Sequence, residues 1–207
     1  ERGVWCKCGE AATPRSGTLP NCIAIEINQD YDFSVNDKLK DGTTVTIRAI
    51  RPDDKGRIVE AFKNLESESV YTRFFRYKSN LTDEELKAAT EVDFENVVAL
   101  MVTTGEERAE TIIGAGRYVA FDAAGGQRSA EVAFMVGEDY QGLGMASTIL
   151  RHLAGIAKDK GIAQFQAEVL RENKGMLTVF KRSGFPMKQE SAEGVAHVTL
   201  SLRGEEF

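Results

Sequence analysis

The sequence is poor in the features that mark several specialised classes of protein. Its 207 residues include only three cysteines and two histidines. No apolar run approaches the ~18–20 residues that a membrane-spanning helix needs, and no charged-then-apolar signal segment opens the chain. The formal net charge of −6 argues against a general binder of nucleic-acid phosphates. We therefore expect a cytoplasmic globular protein with no membrane and no nucleic-acid partner. Glu1 in place of an initiator Met indicates a longer or processed product.

The three cysteines, Cys6, Cys8 and Cys22, lie within the first 22 residues. An odd count without a signal segment is typical of reduced thiols rather than of a disulfide framework. A structural zinc site needs four ligands, and neither His152 nor His197 is near these cysteines in the sequence. We therefore predict no metal site. His152 is interpreted as a surface or packing residue, and His197 as a strand residue that points away from the core.

The chain divides into an irregular first part and a regularly patterned remainder. Residues 1–40 are rich in turn-forming residues, and only residues 22–27 alternate as a strand would. We interpret residues 1–40 as an N-terminal arm or the remnant of a neighbouring segment. Residues 41–207 are predicted to form one domain, an ordinary size for a single core. Three roles remain open for this arm. It could be regulatory, it could supply a strand for oligomerisation into a homodimer, or it could be a remnant without a role.

The pattern of residues 41–207 favours a mixed α/β, or α+β, fold. Helix-start signals occupy residues 51–54 and 82–85, and a further short helix is predicted over residues 69–76. Short links force antiparallel pairing. The strands joined in this way are predicted over residues 96–103, 111–120 and 130–136. A separate strand is predicted over residues 45–50, before the first helix, and a closing pair over residues 185–188 and 195–202.

The second half of the chain contains one long crossover. Apolar residues recur at helical spacing over residues 141–160, and Gly161 follows in the position of a helix C-cap. Residues 163–170 then have the pattern of a strand, and residues 173–182 that of another helix. A strand, a long helix and a second strand imply a right-handed crossover. One parallel pair is therefore predicted, between residues 130–136 and 163–170.

The turn over residues 137–144, at the start of the long helix, is a candidate anion site. Helix N-termini leave several backbone N–H groups unpaired and carry a partial positive charge. Gly142 and Gly144 lack the Cβ atoms that would keep an anion away from the backbone, and Ala146 is small enough for close approach. The turn therefore predicts a phosphate cradle that needs no basic side chain.

The motif in this turn resembles a family signature. Gln141-Gly-Leu-Gly-Met-Ala146 matches the Gln/Arg-x-x-Gly-x-Gly/Ala pattern of the GNAT acetyltransferases. Asn173, followed by Phe180 and then by a Gly-Phe pair, is similar to the family's second segment. The order of elements from residue 45 to residue 202 also resembles the GNAT fold. In that fold a mostly antiparallel sheet is flanked by helices and has one parallel strand pair splayed at the cofactor site.

The resemblance implies acetyl-CoA as the co-substrate and suggests the residues that hold it. Backbone amides of the turn would bind the pyrophosphate, and main-chain groups of the preceding strand would pair with the pantetheine arm. The next helix would contribute one residue near the thioester. The implied cofactor-binding residues are Phe134, Met135, Val136, Gln141, Gly142, Leu143, Gly144, Met145, Ala146 and Asn173.

A finer likeness concerns a subgroup of the family. Leu65-Glu-Ser-Glu-Ser-Val-Tyr-Thr-Arg-Phe-Phe75 is similar to the early segment of bacterial protein-lysine acetyltransferases of the Pat type. Ala130-Glu-Val-Ala-Phe134 resembles the strand that carries their proposed general base. The resemblance therefore implies Glu131 as the catalytic base.

Acetylation of an amine needs such a base. A lysine ammonium, with a pKa near ~10.4, attacks a thioester only after it loses a proton. A carboxylate shielded in a cleft could take that proton directly or through water. The structural alternative is that Glu131 only occupies a strand face or pairs with Arg128.

Phe180 departs from the family pattern. Many GNAT enzymes have a Tyr there as the acid that protonates the leaving thiolate, and Phe has no proton to give. A CoA thiolate can leave without a strong acid because its thiol has an ordinary pKa of ~8.5, and water or Ser183 could also serve. We interpret Phe180 as a core residue. The predicted activity is transfer of an acetyl group from acetyl-CoA to a primary amine, with a protein lysine as the leading acceptor. A small-amine acceptor and a non-catalytic acyl-CoA sensor are the alternatives.

Overall fold

Alternating apolar residues, many of them β-branched, form the strands of one mixed sheet. The computed structural model describes residues 33–65, 80–105, 110–123 and 125–204. Within them lie eight strands, flanked by four helices. The strands are β1 (Ser34–Lys38), β2 (Thr44–Ala49), β3 (Val97–Thr104), β4 (Thr111–Asp122), β5 (Arg128–Val136), β6 (Gln164–Leu170), β7 (Met187–Ala192) and β8 (Val195–Ser201).

The strands follow the order β1-β2-β3-β4-β5-β6-β8-β7. Every neighbouring pair is antiparallel except β5 and β6, which are parallel. The parallel register has only three residue pairs, and Glu131 opposite Gln166 is the last of them. The rest of β5 stays paired to β4 alone, so the sheet opens between β5 and β6 beyond Glu131. The predicted splayed parallel pair is confirmed.

The helices are α1 (Lys55–Lys63), α2 (Asp83–Thr90), α3 (Met145–Asp159) and α4 (Lys174–Lys181). The predicted capping start at Thr82 is confirmed, because its hydroxyl accepts a hydrogen bond from the Glu85 amide at 3.2 Å. The Glu85 carboxylate in turn accepts one from the Thr82 amide at 2.8 Å. Such a reciprocal pair satisfies two donors that a helix start would otherwise leave free.

Helix α3 lies against β4 and β5 over a strip of small residues. A Cβ atom on Gly114 would overlap the Met145 sulfur, and one on Gly116 would overlap the Ile149 side chain. Both positions therefore require glycine so that the helix can approach the sheet closely. This close approach fixes the height of the α3 N-terminus above the end of β5.

A buried ion cluster fixes the start of α1. The Arg48 guanidinium donates to both carboxylate oxygens of Asp54, at 2.8 and 2.9 Å, and to the Glu110 carboxylate at 2.9 Å. Asp54 also accepts a hydrogen bond from the Arg51 amide at 2.8 Å, in the predicted helix-start segment. Burial acts to raise the pKa of Asp54, but the hydrogen bonds from Arg48, the Arg51 amide and Arg57, together with the charge of Arg48, outweigh it and the pKa is lowered. The cluster ties α1 to β2 and to the start of β4.

Some predicted boundaries differ from the structure. The helix predicted over residues 141–160 begins only at Met145, because Gly142 and Gly144 have φ angles of 77° and 92°, which a right-handed helix does not allow. The strand predicted over residues 185–188 runs over Met187–Ala192 instead. The strand predicted over residues 22–27 and the helix predicted over residues 69–76 lie outside the described residues.

Strand β1 was not predicted, and it lies in the segment interpreted as an N-terminal arm. It pairs with β2 along its whole length, from Ser34 opposite Arg48 to Lys38 opposite Thr44. Residues 34–38 are therefore part of the sheet, while the division of the chain at residue 40 stays a prediction. Among the described helices, none is long and apolar enough to cross a bilayer.

Candidate active site

The N-terminus of α3 carries the predicted cradle. Gly144 is its N-cap residue and has no side chain to accept a hydrogen bond. The first backbone bond within the helix runs from the Thr148 amide to the Gly144 carbonyl at 3.1 Å. Helix geometry therefore leaves the amides of Met145, Ala146 and Ser147 without an intrahelical acceptor. No atom comes within 4 Å of the place where a Cβ on Gly142 would lie, so the approach to the loop is open there.

The end of β5 forms one wall of the opening in the sheet. Phe134, Met135 and Val136 are half-buried, and they pair with β4 but not with β6 in the described register. Their main-chain groups on the β6 side can therefore pair with an extended ligand chain, as a further strand would. The Gln141 side-chain amide donates to the Val136 carbonyl at 3.4 Å, which joins the cradle loop to the end of β5. The structure thus brings the strand end and the loop together.

Glu131 lies at the vertex of the opening, in the last paired position of the parallel strands. Its neighbours Ala130 and Val132 are buried, so the glutamate points to the opposite face of the sheet. The side chain is exposed, which is a correction to the expectation of a shielded carboxylate. The reason is that its face of β5 is not covered by α3, and a shield could come only from a bound ligand or from residues outside the described ranges.

Arg117 on β4 is the charged neighbour of Glu131. Burial lowers the pKa of the Arg117 guanidinium, and the Glu131 carboxylate acts in the opposite direction. The predicted alternative pairing with Arg128 is wrong. Arg128 instead donates to the Asn96 side chain at 2.9 Å, because it projects from the other face of β5.

Phe180 on α4 is a core residue, as predicted. It is 1% exposed, and its ring meets that of Phe134 edge-on with 6.1 Å between centroids. The Ser183 hydroxyl donates to the Phe180 carbonyl at 2.7 Å. Ser183, which was predicted as a possible acid for the leaving thiolate, therefore already uses its hydroxyl proton in a hydrogen bond within the turn after α4.

Asn173 is the N-cap of α4. Its side-chain oxygen accepts a hydrogen bond from the Met176 amide at 3.0 Å, so this side chain already has a structural role. Its amide nitrogen has no hydrogen bond to another described residue and remains available as a donor.

The other candidate residues lie away from this opening. His197 pairs with Glu168 at 3.4 Å on the exposed side of β8, as predicted. His152 is half-buried with its ring edge-on to Phe33, 5.6 Å between centroids, so the packing interpretation is confirmed. Within the described residues no cluster of histidine, cysteine or acidic side chains could hold a metal ion. The three cysteines lie outside that part of the chain.

Sequence reasoning missed Lys40, in the turn between β1 and β2. Its amide donates to the Leu143 carbonyl at 3.1 Å, and its side chain lies against Gly144. The sequence around Lys40 shows only a lysine next to an Asp-Gly turn. No pattern in the sequence indicates that this turn contacts the loop at Leu143, about one hundred residues later.

With this geometry in view, comparison with known proteins identifies the family. The sequence matches the acetyltransferase (GNAT) domain over residues 44–186, which is more than half of the chain. The chain belongs to the GNAT acetyltransferase family. It is an acetyl-CoA-dependent N-acetyltransferase of the GNAT type, with acetyl-CoA as its co-substrate.

Several relatives of this GNAT chain carry the name Pat or are called acetyltransferases. The crystal structure of the GNAT domain of S. lividans PAT is 34% identical, with a TM-score of 0.74, and the match covers 81% of this chain and 96% of that one. Acetyltransferase Pat of Mycolicibacterium smegmatis is 30% identical over 147 residues, 71% of this chain and 43% of that protein. An acetyltransferase of Pseudomonas aeruginosa is 28% identical over 152 residues, 72% of this chain and 78% of that protein. The chain therefore spans less than half the length of the mycobacterial Pat.

Proposed function

We propose that this GNAT domain transfers an acetyl group to the side chain of a protein lysine, with Glu131 as the general base. The position of Glu131 carries the proposal, because it is the last paired residue before β5 and β6 separate. A group at this vertex lies beside any chain that extends along the free edge of residues 132–136.

The cofactor-binding half of the proposal rests on the loop and the strand end. The free amides of Met145 and Ala146, with the open space at Gly142, suit the two phosphates of the CoA pyrophosphate. Main-chain groups of Phe134, Met135 and Val136 suit the amides of the pantetheine arm. Bound in this way, acetyl-CoA supplies an activated thioester near the vertex of the opening.

The catalytic half of the proposal rests on Glu131 and Arg117. Glu131 takes a proton from the acceptor's ammonium group, directly or through water, so that the amine nitrogen regains its lone pair. Arg117, its charged neighbour on β4, places a positive charge beside the carboxylate. No side-chain acid is assigned to the leaving thiolate, because Phe180 has no proton and is buried in the core.

The choice of a protein lysine rests on the resemblance to Pat-type proteins. Relatives named Pat are 30–34% identical to this chain. Free polyamines or amino acids are the alternative acceptors.

The replacement Glu131→Gln tests the base, because it keeps the shape and removes the charge. We expect kcat for a lysine-bearing protein to fall by ~10²–10⁴-fold, while the Kd for acetyl-CoA stays within about twofold because the loop and β5 backbone are untouched. Glu168→Gln is the matched control, since Glu168 is an exposed strand glutamate on β6 that pairs with His197. Equal kcat values for Glu131→Gln and the control would remove Glu131 from the mechanism.

Competition between acceptors tests the substrate class. Thiol release is measured with a lysine-bearing protein and a free amine present together, at equal amine concentration. Preferential acetylation of the protein supports the proposal. Preferential acetylation of a free polyamine or amino acid would contradict it and leave the GNAT activity itself intact.

A further inference from the structure

The turn between β1 and β2 reaches over to the cradle loop. The Lys40 amide donates a hydrogen bond to the Leu143 carbonyl at 3.1 Å, although the two residues are far apart in the sequence. The turn is itself fixed, since the Asp41 carboxylate accepts from the Thr43 amide at 3.0 Å and from its hydroxyl at 2.9 Å. These hydrogen bonds lower the pKa of Asp41. Lys40 is therefore held at the loop by its backbone, whatever its side chain does.

The side chain of Lys40 extends across Gly144. Its Cγ, Cδ and Cε atoms lie 3.6, 3.8 and 3.3 Å from the place where a Cβ on Gly144 would be. The ammonium nitrogen is one bond beyond Cε, so it too lies at the α3 N-terminus. It makes no ion pair or hydrogen bond with another described residue, and the side chain is exposed. The aliphatic part of the Lys40 side chain thus lies against the loop, while its ammonium group can still contact a ligand.

The cradle loop itself lacks a positive side chain. Residues 137–147 contain no lysine or arginine, and they include the acidic residues Glu138 and Asp139. The first position of the motif is Gln141 rather than the arginine that the pattern also allows. Arg151, on the same helix, is paired with Asp37 at 3.0 Å. A diphosphate at this loop would therefore meet no positive side chain from the loop itself, and Lys40 places one beside it.

We propose that Lys40 is a further cofactor-binding residue, whose ammonium group contacts the pyrophosphate of CoA from a turn outside the family motif. This inference rests on the proposed placement of CoA at the α3 N-terminus. The loop amides hold the diphosphate from the helix side, and Lys40 closes over it from the β1–β2 side. Gly144 has a φ of 92°, a conformation that favours glycine, and the lysine stem crosses the open side of this residue.

The Kd for CoA, measured by titration calorimetry at low and high salt, tests this proposal. Lys40→Met keeps a stem of similar length and removes the charge. We expect it to raise the Kd roughly tenfold at low ionic strength, which is ordinary for one charge-assisted contact, and the difference should shrink at high salt because the charge is exposed. Lys40→Arg should retain most of the affinity. Lys38→Met, on β1 two residues earlier, is the matched control and should change little.

The outcomes separate this inference from the proposed function. If the unmodified protein binds CoA and Lys40→Met binds equally well at low salt, Lys40 is not a cofactor residue, while the loop assignment stands. A weaker affinity that does not vary with salt would also overturn the proposal, since it would indicate that the loop has been displaced rather than a charge lost. If the unmodified protein fails to bind CoA, the proposed placement of the cofactor fails, and this inference with it.

Discussion

Replacing Gly116 with alanine tests the close approach of α3 to the sheet. The added Cβ would overlap Ile149 Cγ2 and lie 3.2 Å from Phe134 Cδ1 and 3.3 Å from Leu153 Cδ1. All three contacts are shorter than the ~3.5–4.0 Å at which carbon atoms meet favourably. Ile149 cannot turn away easily, because it is fully buried and β-branched side chains are stiff in a helix.

The expected cost of this overlap is ~1–3 kcal/mol of unfolding free energy, which is usual for overpacking a core. For a protein of this size it corresponds to a fall in Tm of ~2–12 °C. Thermal unfolding followed by circular dichroism measures it. Gly155→Ala is the matched control, since no atom lies within 4 Å of its added Cβ and alanine favours an exposed helix interior by up to ~1 kcal/mol. If Gly116→Ala were as stable as this control, the argument for a required glycine strip under α3 would be refuted.

Three further changes test the framework around the site. Arg48→Met leaves Asp54 buried without its main partner, so urea unfolding should show a loss of ~3–5 kcal/mol. Burial acts to raise the pKa of Asp93, but hydrogen bonds from the amides of residues 95–97 and from the Asn96 side chain lower it to about 2. Its stabilising effect is therefore complete above pH 3.8 and is lost as the pH falls through about 2. When the free energy of unfolding is measured across this acid range, Asp93→Asn should lose about 1 kcal/mol less than the unmodified protein, after allowance for solvent screening. Asn173→Ala should cost ~1 kcal/mol through the lost cap, and Asn173→Asp should restore stability but not acetyl-CoA affinity if the amide donates to the cofactor.

For two of these predictions, a specific result would contradict the reasoning. Unchanged stability in Arg48→Met would contradict the view that the buried Asp54 carboxylate depends on Arg48 for charge compensation. Full acetyl-CoA affinity in both Asn173 variants, measured by titration calorimetry, would limit that residue to its capping role.

The fold could be predicted largely from local patterns. The strands at 96–103 and 111–120 and the crossover helix before residue 163 follow from alternation, from short links and from one long amphipathic segment. These signals are carried by neighbouring residues, so a single sequence contains them. The capping residue Thr82 was also predictable, because its partner Glu85 is only three positions away.

The features that were missed depend on contacts between distant segments. Strand β1 has a polar composition and few apolar residues, so only its pairing with β2 makes it a strand. The exposure of Glu131 could not be inferred, because it depends on which face of β5 the helix α3 covers. Lys40 meets the cradle loop through a turn more than one hundred residues earlier, and no local pattern records such a contact.

The parallel seam between β5 and β6 has a consequence for how the domain is held together. Only three residue pairs join the part of the sheet made by residues 34–136 to the part made by residues 164–201. Each part is continuous in the chain, so the seam divides the sheet into an earlier-synthesised half and a later one. A ligand seated in the opening would touch both halves and occupy backbone groups that the short ladder leaves free. The co-substrate would then stabilise the contact between the two parts of the sheet. The hydrogen exchange of backbone amides in β5 and in β6 should therefore slow together when it binds.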